Sequence, residues 1–183
     1  MPFSLNLRSD HASAGAITAL WDAVEAFEQT PSMRALGYPP HFTFAIYDTE
    51  EVTFSMAQAA IAKAAIAKAA EGETTIKITF NAVSWFAGSP LVLWAKPSDE
   101  TKLFRMHSAV HSLIRPELSR PYYRPGGWQP HCTLATRIMD EQRDTAIAFA
   151  RSFAKPFEVT FDVLDCVSFP PLKIASEIRL GDQ

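Results

Sequence analysis

Cysteine is scarce in this 183-residue chain, where Cys132 and Cys166 are the only two. Two thiols so far apart make neither a disulfide framework nor a thiolate metal site. Nothing approaches the roughly 18 consecutive apolar residues of a membrane span, so no membrane association is expected. The opening run Met1-Pro2-Phe3-Ser4-Leu5-Asn6 has no basic segment ahead of an apolar one, so no signal peptide is expected either. An excess of basic charge is also missing. A formal net charge of −3 argues against a broad surface that grips long nucleic acid through its phosphates, but leaves room for a site holding one phosphate. His107 and His111 stand four apart, yet no Glu follows His107 and no acidic third ligand lies nearby. A helix-surface or lobe-packing role is expected for that pair, with no metal and no other cofactor. A soluble protein of the reducing cytoplasm fits these absences.

What is present is ample core material. With 48% hydrophobic residues, the chain is long enough to bury about 70% of its unfolded surface. One domain over 1–183, built as two packed halves, is expected. Phe3 to Leu7 reads as a strand. Ser9 or Asp10 then caps a helix to about Phe27, with Ile17, Leu20, Trp21, Val24 and Phe27 at helical spacing and His11 as a cap neighbour. Residues 30–39 read as a connection. Ser55 to Glu71 contains Ala-Ala-Ile-Ala-Lys twice and predicts a helix with Lys63 and Lys68 exposed. Thr74 to Phe86 and Leu91 to Ala95 form a strand–turn–strand signature around Gly88-Ser89-Pro90. A helix from Asp99 carries Leu103, Met106, Val110 and Leu113. Another runs from Met139 to Ala154. Phe157 to Leu164 reads as one strand, and extended segments flank Pro170-Pro171.

One stretch occurs twice. Pro40-His41-Phe42-Thr43-Phe44-Ala45 and Pro130-His131-Cys132-Thr133-Leu134-Ala135 both read Pro-His-x-Thr-apolar-Ala. On a strand, residues two apart share a face. His41, Thr43, Ala45 and Tyr47 are thus expected on one face, and His131, Thr133, Ala135 and Arg137 on the corresponding one. The small alanines would leave room for a ligand. Phe42 and Cys132 would point into the core, Cys132 as a small buried apolar residue. Downstream of each copy the order also repeats: a helix, then strand–turn–strand, about ninety residues apart. Such a duplication predicts a pseudo-twofold arrangement that sets the two His-x-Thr strands face to face across a cleft.

Paired His-x-Thr strands in a chain of this length resemble the 2H phosphoesterase superfamily, in particular its 2′-5′ RNA ligase and RNA 2′,3′-cyclic phosphodiesterase branch. The resemblance runs from the first strand to Leu180. It implies a bilobal α+β fold, with lobes of mainly antiparallel sheet, outer helices and a metal-independent phosphodiesterase site between the lobes. It also implies a 2′-phosphate product and reverse ligation. The expected partner is an RNA 3′ end or a small nucleotide carrying a cyclic phosphate, with the protein a monomer and no protein partner inferred.

The residue types carry that chemistry independently. Opening a phosphodiester requires one group to take a proton and another to give one, on opposite sides of phosphorus. Imidazole, with an ordinary pKa near ~6.5, suits either role. His41 and His131 are therefore the expected catalytic pair, with Thr43 and Thr133 donating to phosphate oxygens. Tyr47, Arg124, Trp128 and Arg137 are candidate substrate-binding residues, as are Tyr122 and Tyr123. Arginine suits phosphate, and an aromatic ring suits an unpaired base. Alternatives are a phosphodiesterase for another linkage, such as 2′-5′ oligoadenylate or an ADP-ribose-derived cyclic ester, and a non-catalytic RNA- or nucleotide-binding module.

Overall fold

Alternating polar and apolar residues in Phe-Ser-Leu-Asn-Leu-Arg make the first strand, β1 (Phe3–Arg8). The computed structural model describes residues 2–69 and 74–180, and only the backbone of 67–69. After β1 come α1 (Gly15–Val24), α2 (Ser32–Leu36), β2 (His41–Tyr47), α3 (Phe54–Ala69), β3 (Ile76–Phe86) and β4 (Leu91–Pro97). The second half holds α4 (Thr101–His111), β5 (Cys132–Ile138), α5 (Arg143–Ser152), β6 (Phe157–Phe161), β7 (Val163–Ser168) and β8 (Lys173–Arg179). The helix near the N-terminus opens one residue later than expected. His11 itself is the cap, its Nδ1 accepting from the Ser13 amide at 3.1 Å. Ser9 instead donates its hydroxyl to the Thr160 carbonyl. Lys63 is exposed as expected, whereas the Lys68 side chain and Glu71 lie outside the described residues.

The strands form two four-stranded antiparallel sheets, ordered β2-β1-β7-β8 and β5-β4-β3-β6. In both, the His-x-Thr strand is the edge and its sheet neighbour is the strand before it in the chain, β1 beside β2 and β4 beside β5. The pseudo-twofold frame thus starts at β1 and at β4; β8, expected to match β4, is instead an outer strand beside β7. The expected single strand from Phe157 to Leu164 is in fact two. The chain leaves one sheet at Phe161 and enters the other at Val163. Asp162 makes the crossing because its carboxylate accepts from the Asp10 amide at 2.8 Å and its own amide reaches the Arg8 carbonyl. One contiguous core joins both halves, from Leu5, Phe42 and Phe44 to Leu93, Leu134 and Phe161. Leu113, expected on the apolar face of α4, lies beyond its end and is exposed.

Each His-x-Thr strand is the edge of its sheet, and each carries a bulge at the same point. Leu5 pairs with Ala45 and Asn6 with Thr43, so Phe44 is the extra residue. Leu93 pairs with Ala135 and Trp94 with Thr133, so Leu134 is extra. A bulge reverses which face the following side chains occupy. Ala45 and Ala135 therefore point into the core, both fully buried, and do not open space for a ligand. Ile46 and Thr136 take the outward face instead.

Edge carbonyls must find partners when buried, and here two indoles supply them. Trp21 Nε1 on α1 donates to the Thr133 carbonyl, and Trp128 Nε1 donates to the Thr43 carbonyl, both at 3.0 Å. Each half thus caps the other's motif. Trp128 in turn stacks flat on His107, with centroids 4.3 Å apart. His107 and His111 are buried, and their Nε2 atoms donate to the Tyr123 carbonyl at 2.7 and 3.0 Å. The pair packs the loop leading into β5 and is not on the helix surface. Among the described residues, no helix is long and apolar enough to cross a membrane.

Trp21→Phe and Trp128→Phe keep the ring and remove the donor. Each is expected to lower the unfolding free energy by about 1 kcal/mol, read as a lower urea midpoint at unchanged m-value. An unmoved midpoint in both variants would mean that the caps contribute nothing to stability.

Candidate active site between the two sheet edges

A cleft of about 470 Å³ opens where β2 and β5 meet. His41, Thr43, His131 and Thr133 all line it, together with Ile46 and Thr136. The two strands touch beside it, β2 packing against β5. Cys132 is buried, as expected of a core residue.

The two imidazoles are anchored identically. His41 Nδ1 lies 2.8 Å from the Pro39 carbonyl, and His131 Nδ1 lies 2.7 Å from the Gln129 carbonyl. A carbonyl only accepts, so Nδ1 carries the hydrogen in both rings. Nε2 is consequently bare in each neutral imidazole. Burial lowers His41 to about 4; the Pro39 carbonyl opposes this and nearby His131 adds to it. Burial lowers His131 as well, opposed by the Gln129 carbonyl. The surroundings differ. His41 meets the edge of Tyr38 at 4.8 Å, whereas His131 sits against Phe86 at 5.0 Å and Trp94 at 6.0 Å.

Behind His41 lies a buried polar network. Asp165 is fully buried and accepts from Tyr38 Oη, from Arg8 Nε at 2.7 Å and from Asn6 Nδ2 at 3.1 Å. Asn6 Oδ1 accepts from Thr43 Oγ1 at 3.0 Å. On the opposite wall, the Glu28 carboxylate accepts from the amides of Ser32, Thr136 and Arg137 and from the Ser32 hydroxyl. This caps the free edge of β5 beyond its bulge and places Ser32, Thr136 and Arg137 on the cleft. Among the described cleft residues Arg137 is the one permanent cation.

The substrate-binding candidates divide. Arg137 and Tyr123 line the cleft. Tyr47 does not: past the bulge at Phe44 it turns into the core, fully buried and packed on Phe3 at 5.6 Å. Arg124 folds back on its own loop, donating to the Ser119 and Glu117 carbonyls at 2.9 Å each. Trp128 is buried under Thr43 as a cap and offers no face to a base. Tyr122 is 84% exposed and absent from the cleft wall. Sequence reasoning missed Asn6, Tyr38, Ser32 and the rim of Phe169, Pro170 and Leu172. A signal for Asn6 was available: Ser4, Asn6 and Arg8 form a polar face on an otherwise apolar strand, opposite a lone Asp165 in Val-Leu-Asp-Cys-Val.

Two bare imidazole nitrogens facing one largely uncharged cavity can take a proton at one point and release one at another. The fold that presents them is shared with several solved structures. TT0787 of Thermus thermophilus superposes with a TM-score of 0.62 at 18% identity, covering all of both chains. E. coli LigT complexed with 3′-AMP gives 0.60 at 14% identity, again over both full chains. Kluyveromyces marxianus Usb1 gives 0.54 at 12% identity, covering 98% of this chain and 97% of that one. No curated protein matches the sequence. A family model described as the 2′-5′ RNA ligase superfamily matches residues 12–169. That match spans both His-x-Thr strands and most of the chain, and by it this protein belongs to the 2′-5′ RNA ligase superfamily, the two-histidine phosphoesterases.

Proposed function

We propose that this chain is a phosphodiesterase that opens a 2′,3′-cyclic phosphate, at an RNA end or in a small nucleotide, to a 2′-phosphate. The observation that carries this reading is the matched pair of bare Nε2 atoms, each fixed by an Nδ1 hydrogen bond, on repeat-related strands lining one cleft. Water attacks phosphorus, one imidazole takes its proton, and the other, protonated, supplies a proton to the departing 3′-oxygen. Each transfer is worth about 10²–10⁴-fold in rate. The polar atoms of the cleft come almost wholly from neutral side chains, with Arg137 adding a single positive charge. That inventory suits a singly charged diester better than a polyphosphate. With a 5′-hydroxyl in place of water, the same two proton transfers bond that oxygen to the cyclic phosphorus and release the 3′-oxygen, so 2′-5′ ligation, and its reversal by the 3′-oxygen, belong to the same site.

Hydrolysis of 2′,3′-cyclic nucleotides is expected from the wild type. His41→Ala and His131→Ala should each lose at least about 100-fold in kcat, and turnover that survives either substitution would refute the pair. The pH profile follows from the environment of the rings. With His41 lowered to about 4 and His131 lowered from the ordinary 6.5, both are neutral in the free protein at pH 7. The form with one proton on the pair then peaks at acidic pH. We expect kcat/KM to reach its maximum below about pH 6.5 and to fall as pH rises. A rate that is flat from pH 5 to 9 would contradict this. Because side chains supply both proton transfers, activity should be unchanged in EDTA, and loss of activity there would point to a bound metal.

A further inference from the structure

The two His-x-Thr strands are equivalent in backbone but not in what stands beside their threonines. Asn6 pairs with Thr43 across β1 and β2, and Trp94 pairs with Thr133 across β4 and β5. These are the same positions in the two sheets. Around Asn6 the direction of every hydrogen bond is determined. Asp165 receives Arg8 Nε at 2.7 Å and the Tyr38 hydroxyl, and as a carboxylate it only accepts. The Asn6 amide nitrogen must therefore face it, at 3.1 Å, with its second hydrogen on Ser4 Oγ at 3.0 Å. Asn6 Oδ1 is left facing Thr43, so the Thr43 hydroxyl is the donor across their 3.0 Å contact. Its hydrogen is taken, and only lone pairs remain for the cleft.

Thr133 is the opposite case. Its neighbour Trp94 has no acceptor atom, stacks on Phe86 at 5.0 Å and leaves its own N–H without a partner. The Thr133 hydroxyl has no hydrogen-bond partner among the described residues, so its hydrogen is available to the cleft. It shares its strand with Arg137, the cation of the site.

On the His41 side, two acceptors thus stand two residues apart on one strand face, the bare Nε2 of His41 and the oxygen of Thr43. A water molecule has two hydrogens to give, one to each, and then turns a lone pair outward. On the His131 side stand a free hydroxyl donor and a guanidinium, the complement of a phosphate. We propose that Asn6, locked by Asp165, makes Thr43 a hydrogen-bond acceptor, so that His41 and Thr43 seat the attacking water while Thr133 donates to the phosphate. This rests on the phosphodiesterase reading and gives that site its direction. The water oxygen bonds phosphorus as its proton passes to His41 Nε2. The bond from phosphorus to the 3′-oxygen breaks as that oxygen takes the proton of His131 Nε2. Exchange with solvent resets both rings.

The experiment compares Thr43→Val with Thr133→Val by two readouts. Calorimetric binding of uridine 2′-monophosphate should weaken about tenfold or more in Thr133→Val, which loses a donor to a charged oxygen. It should change by less than about threefold in Thr43→Val, whose hydroxyl never faced the phosphate as a donor. Turnover of 2′,3′-cyclic UMP should show the reverse emphasis: Thr43→Val lowers kcat about tenfold or more at nearly constant KM, and Thr43→Ser restores it. Asn6→Leu, which frees the Thr43 hydrogen, should lower kcat without weakening the 2′-phosphate. Equal weakening of 2′-phosphate binding by the two valine variants would overturn the proposal, as would an unchanged kcat in Thr43→Val. If the wild type turns over no cyclic phosphate, the phosphodiesterase reading fails, and the binding comparison still decides the donor roles. A wild type that does not bind the 2′-phosphate overturns both.

Discussion

A sheet edge cannot be buried unless its free amides and carbonyls are given partners, and this protein places two such edges against each other. The cleft exists because neither edge is completed by another strand. Instead the partners come from outside both sheets. Trp21 and Trp128 take the two threonine carbonyls. Glu28 takes the amides of Thr136 and Arg137, and Ser119 does the same for Ile46 on the other edge. Each device holds the motif strand from the side opposite its own half. The two imidazoles and two hydroxyls are thereby fixed to the junction itself, and neither sheet could present all four alone.

Symmetry sets the backbone and side chains break it. Both strands carry a bulge after the threonine, and both histidines are tied through Nδ1 to the carbonyl two residues earlier. Beside His41 lies a charged, fully hydrogen-bonded network centred on Asp165. Beside His131 lie two aromatic rings. The two sides of the cleft therefore offer different donors and acceptors, which a strictly symmetric cleft would not. The polar network is the more demanding arrangement, since a buried carboxylate is tolerable only with its donors in place. Tyr38, Arg8 and Asn6 supply them, and Tyr38 then rests edge-on against His41.

Much of this was legible in the chain. The repeated Pro-His-x-Thr-apolar-Ala is a local pattern on a period-two element, so the shared face of His and Thr follows from strand geometry alone. Phe42 and Cys132 as core residues follow from the same alternation. Legibility ended where alternation ended. A bulge is one extra residue in a pairing, and pairing is a property of two strands; nothing within Phe44 or Leu134 announces it. Ala45, Ala135 and Tyr47 were accordingly assigned to the wrong face. Arg124 and Trp128 have the right chemistry for a phosphate and a base, but the loop uses that chemistry on its own carbonyls and on Thr43.

The sequence by itself determined the duplication, the two imidazoles and the hydroxyls beside them, because residue type and spacing of two along a strand are local facts. It also put one imidazole in each copy, so a cleft lined by both rings takes both halves of the chain. Only the tertiary structure decided that each half caps the other, that the bulges put Ile46 and Thr136 on the cleft, and that Asn6 and Trp94 stand in equivalent places. Those depend on which edges meet and in what register, and register is settled by the packing of residues some ninety positions apart.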